Sequence, residues 1–130
     1  MDLASAQRHL QDSLPGLIAL YLFGSQATGH SDDRSDVDFA VLVQGTVAPL
    51  RLWELSGELA DIVHLPVDLV DLRAASTVMQ YQIIDTGRRI WSCGLDADLY
   101  EVFILREKTS LDEARAGLLD DIGRDGLIYG

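Results

Sequence analysis

Each thing the chain is short of excludes something. Cys93 is its single cysteine, so no disulfide can form within it, and the thiol reads as structural or incidental rather than as a nucleophile. That usage fits a reducing compartment, and a cytoplasmic location is expected. Long apolar runs are missing as well. The longest, Leu17 to Phe23, is far below the roughly 20 residues that cross a bilayer, and no basic-then-apolar leader is read at the start. No membrane association is therefore expected. Bases are scarce: 10 Lys and Arg stand against 21 Asp and Glu, for a formal charge of -11. Such a surface repels phosphates, so direct nucleic-acid binding is not expected. It suits a basic protein partner or divalent cations. His9, His30 and His64 are scattered, without the spacing of a metal site.

What is present is a core. Nearly half of the 130 residues are apolar, and one domain over 1–130 is expected. Leu3, Ala6, Leu10 and Leu14 recur at helical spacing before Pro15-Gly16. Leu17 to Phe23 reads as a strand buried on both faces, Gly24 to Ser35 as a polar turn, and Asp36 to Val43 as a second strand. A helix is predicted over about 49–63, a third strand over 66–72 and a helix over 75–85. Arg88 to Ser92 reads as a short extended piece. A helix over 95–108 follows, then a new one announced by the capping-box pair Ser110 and Glu113. The order gives an α+β fold, a small mixed β-sheet flanked by helices. Its core would span about 17–92 and its terminal helices about 95–125. Trp53 and Trp91 are expected to pack inside. Leu95, Leu99, Val102 and Phe103 share a face that is ordinarily core, or in so small a protein a partner surface. Tyr81, Tyr100 and Tyr129 read as core-packing.

The chemistry concentrates in "YLFGSQATGHSDDRSDVDFAVLV", residues 21–43. Asp36 and Asp38 lie two apart, on one face of a strand and about 7 Å from each other along it. Two carboxylates there repel each other and resist burial. A divalent cation relieves both problems, because hard cations take carboxylate and phosphate oxygens. Gly24 permits close backbone approach, and Ser25 offers a hydroxyl and an amide to an anion. A third acid is expected nearby. In "PVDLVDL" Asp68 stands where an apolar residue would be the default, while Asp71 sits where a capping acid is ordinary. Asp68 is the preferred partner, to hold a metal or take a proton from an attacking hydroxyl. These residues alone leave nucleotidyl transfer and hydrolysis both open.

Gly24-Ser25, ten residues, then Asp36-Val37-Asp38, with a further acid on a later strand, resembles the signature of the polymerase-beta-type nucleotidyltransferases. The motifs over about 17–72 look most like the minimal nucleotidyltransferases, antitoxins of HEPN toxin–antitoxin pairs. The resemblance implies a polymerase-beta-like core. It implies that Asp36, Asp38 and Asp68 bind two Mg²⁺ ions and are catalytic, and that Gly24 and Ser25 hold the phosphates of ATP. It further implies transfer of AMP to a hydroxyl, expected to be a tyrosine, of a cognate HEPN toxin. Many relatives carry Arg where this chain has Gln26, so positive charge near the triphosphate is sought from Arg34, or Arg88 and Arg89. The alternatives are transfer to a small hydroxylated molecule such as an aminoglycoside, and an antitoxin acting by contact alone.

Overall fold

The computed structural model describes residues 1–28 and 36–125. Helix α1 (Leu3–Ser13) opens on Asp2, whose carboxylate accepts the Ser5 N–H at 3.0 Å. Strand β1 (Leu17–Phe23) leads into a single helical turn, α2 (Ser25–Thr28). Strand β2 (Val37–Val43) is followed by α3 (Pro49–Val63), which starts on its proline and ends at His64 in the left-handed region. Strand β3 (Val67–Asp71) runs through a 3-10 turn, Leu72–Ala74, to α4 (Thr77–Thr86), capped by Ser76. Strand β4 (Arg88–Ser92) and α5 (Asp96–Asp125) complete the order. Among the described residues no helix is long and apolar enough to cross a membrane.

The sheet order is β3-β2-β1-β4, with β1 antiparallel to β2 and β4, and β2 parallel to β3. Helices lie on both sides. Leu20, Leu22, Phe39 and Val41 face Leu10, Leu55 and Leu59 of α1 and α3. Ala19, Tyr21, Ala40 and Leu42 face Ile83 of α4 and Ala97 and Ile104 of α5. This double cover explains why β1 carries no polar alternation. A register shift between Leu17 and Ala19 lets adjacent Ile18 and Ala19 join the same layer.

Three sequence expectations are corrected. Trp53 is 74% exposed rather than buried. Helix α3 turns Leu55, Leu59 and Val63 inward, and two residues before Leu55 is about 200° round the helix. Trp91 does pack, half-buried, against the α1/α3 layer. Second, Leu95, Leu99, Val102 and Phe103 are exposed, while Ala97 and Ile104 are the buried positions of α5. Polar ties fix this rotation. The Tyr21 hydroxyl donates to Glu101 Oε1 at 3.2 Å, and Arg89 bridges Asp98 at 2.7 Å and Glu101 at 2.9 Å. Third, α5 runs unbroken through Ser110. Lys108 pairs with Asp112 at 2.7 Å and Thr109 Oγ1 donates to the Leu105 carbonyl at 2.9 Å, carrying the helix across the expected break.

Candidate active site

Strands β1, β2 and β3 are neighbours, and their register brings the candidate residues together. Phe23 pairs with Asp38, and Asp38 pairs with Asp68. Gly24 follows Phe23 directly and turns with φ +72, so the chain leaves β1 beside the Asp38 side chain. A Cβ built on Gly24 would strike the Asp38 carboxylate. Glycine suits the left-handed backbone here, and a side chain at this position would push the Asp38 carboxylate from its place. From sequence, Gly24 stands only for close backbone approach to a ligand; the left-handed turn and the contact with Asp38 both come from the fold.

Asp36 stands exposed one residue before β2, Asp38 is half-buried and Asp68 is exposed. Burial, then the charge of Asp68, then that of Asp36, hold the Asp38 carboxyl above the usual carboxylate range. Two like charges thus bear on Asp38. Among the described residues, no three His, Cys, Asp or Glu side chains are already gathered as a metal cluster.

The two acids of "PVDLVDL" separate cleanly. Asp71 is buried, and its carboxylate accepts the Val47 N–H at 2.8 Å and the Arg73 N–H at 3.1 Å. It ties the loop after β2 to the 3-10 turn after β3, as a capping acid does. Asp68, three residues earlier, faces solvent beside Asp38.

Of the arginines sought near the site, Arg89 is committed to Asp98 and Glu101. Arg88 pairs in register with Leu22, two residues from Gly24, and is exposed. Arg34 and His30 lie outside the described residues, as does Tyr129. His9 bonds Glu58 at 2.7 Å between α1 and α3, and His64 caps a helix. Tyr81 and Tyr100 are half-buried against the α4/α5 layer, and Cys93 is exposed.

The family profile described as polymerase beta, nucleotidyltransferase, matches residues 7–93, about two thirds of the chain. The chain belongs to this nucleotidyltransferase family. The matched segment holds β1 to β4 and every candidate residue of the site. The nucleotidyltransferase is 38% identical over 113 residues to the protein adenylyltransferase MntA of Shewanella oneidensis, covering 87% of this chain and 81% of the relative. Its fold matches a crystal structure of a toxin–antitoxin with AMP-PNP at a TM-score of 0.84 and 35% identity, covering 94% of this chain and 98% of that one. It also matches a chain from the tri-AMPylated Shewanella oneidensis HEPN toxin in complex with MNT antitoxin, with a TM-score of 0.74, 33% identity and the same coverage.

Proposed function

We propose that this nucleotidyltransferase moves AMP from ATP onto a hydroxyl of a HEPN-domain toxin, tyrosine being the expected acceptor, and so acts as an antitoxin. The observation that carries the reading is the row Asp68–Asp38–Phe23 ending at the Gly24 turn. The likeness to a protein adenylyltransferase favours a protein acceptor over a small molecule.

Asp36, Asp38 and Asp68 are the candidate ligands for Mg²⁺. The donor set fits: all are hard oxygens, and like charge already presses on Asp38. Two such ions, completed by phosphate oxygens and water, would offset negative charge on the triphosphate. The Gly24–Ser25 turn is the candidate cradle for the outer phosphates. Asp68 takes the proton of the acceptor hydroxyl. The acceptor oxygen then bonds to the α-phosphorus, the bond from that phosphorus to the bridging oxygen breaks, and pyrophosphate leaves.

The test is transfer of label from α-labelled ATP, with Mg²⁺, to a HEPN-domain protein from the same genome. Label on that protein, absent with Asp36→Ala/Asp38→Ala, is the expected outcome. Tight complex formation without label from any nucleoside triphosphate would overturn the reaction in favour of inhibition by contact.

A further inference from the structure

Helix α5 is apolar on two opposite sides. One side buries Ala97 and Ile104 against the sheet. The other exposes Leu99 at 66%, Val102 at 52% and Phe103 at 52%, with Leu95 at 73% just before the helix. A helix with apolar residues all round is normally covered all round. The helix also outruns its support: residues 112–118 are exposed at every position, and short unsupported helices are marginal in water.

We infer that the outward face of α5 is where the HEPN-domain partner seats. This rests on the function proposed above and adds the place of contact. Two observations choose the occupant. The first is side. Asp38 lies two residues from Ala40 on β2, on the sheet face that α5 covers, and Asp68 is its register partner. A protein resting on α5 is on the carboxylate side of the sheet. The exposed apolar residue Trp53 belongs to α3, in the opposite layer. The second is charge. Asp96, Glu107 and Glu113 border the α5 face and Arg106 stands among its apolar residues, all exposed, and each chain carries -11. Two copies joined through this face would bring two strongly acidic chains together, which net charge opposes, so a different protein is favoured over a second copy. Apolar anchors within a polar rim are the make-up of a protein interface centre.

The experiment measures the affinity of the full chain for a HEPN-domain protein from the same genome by calorimetry, beside AMP transfer and sedimentation of each chain alone. Leu99→Glu/Val102→Glu is expected to weaken binding about 100-fold and to raise the KM for the toxin in parallel. Trp53→Ala keeps wild-type affinity. If the double Glu variant melts early, Leu99→Ala/Val102→Ala serves in its place, with a loss of at least about tenfold. Affinity within about threefold of wild type in a folded variant would overturn the inference. So would a loss confined to Trp53→Ala, a loss only of self-association, or no binding by the wild type. Binding that is lost in the variant, with no AMP transfer by the wild type, upholds the surface and overturns the reaction.

Discussion

Asp38 and Asp68 occupy the same rung of the parallel β2–β3 ladder, so two carboxylates stand about one strand spacing, close to 5 Å, apart. No fold gains from this placement. Burial and its acidic neighbours hold the Asp38 carboxyl above its usual range, which makes it a candidate ligand position.

Removing that charge separates stability from activity. Asp38→Asn keeps the shape and removes the repulsion. The metal-free variant is expected to melt at the wild-type temperature or about 1–3 °C above it, with AMP transfer reduced at least about 100-fold. Mg²⁺ with a non-hydrolysable ATP analogue raises the Tm of the wild type and leaves the variant unmoved. Differential scanning fluorimetry with and without ligand checks both, and a variant that melts well below wild type would show Asp38 to be structural.

Gly24→Ala tests the turn. A Cβ there meets the Asp38 carboxylate while φ stays at +72. The left-handed backbone costs about 1–2 kcal/mol in a non-glycine residue. Displacing a reacting group by about 1 Å costs on the order of 100-fold in rate. Turnover is therefore expected to fall much more than stability, as read by steady-state transfer beside urea unfolding.

Asp68 and Asp71 should respond in opposite ways. Asp71→Ala strands the Val47 and Arg73 N–H groups, for a loss of about 2–3 kcal/mol. Asp68→Ala, at an exposed position, should change stability by less than about 0.5 kcal/mol and abolish transfer. Chemical denaturation and label transfer on the two variants decide it, and interchanged results would reassign the third acid.

Alkaline pH should act through Tyr21. Burial first, and the Glu101 charge next, hold its hydroxyl well above the ordinary value of 10.0. Above pH 10 the unfolded chain releases this proton while the folded chain keeps it, so the stability contributed by the neutral hydroxyl is lost as pH rises beyond 10. Tyr21→Phe flattens that decline. At neutral pH it costs about 1 kcal/mol, through the lost bond to Glu101. Stability curves from pH 8 to 11 compare the two.

The strands and the acids were legible because their signals are local. Leu17–Phe23 is apolar without a break, and Gly24, Asp36 and Asp38 are set close along the chain. The bounds of α3 followed from Pro49 and from helical periodicity. What was not legible depends on rotation and register. Which side of α5 turns inward is decided by small Ala97 and by the Tyr21–Glu101–Arg89 ties, contacts that reach up to 80 residues along the chain. Hydrophobicity alone favoured the larger Leu99 and Val102. Trp53 misled for the same reason, since a large aromatic among aliphatic neighbours gives no sign of which way the helix faces. The Ser110–Glu113 pattern is a sound cap signal, overruled by side chains that bond across it.

The sheet order sets Gly24, Asp36, Asp38 and Asp68 on or beside three neighbouring strands, β1, β2 and β3, drawn from residues 17–71. Nothing in that trio requires the outer surface of α5 to keep any particular residue. A lineage can therefore rewrite the outer side of its last helix, the surface proposed for its partner, while the candidate carboxylates stay where they are.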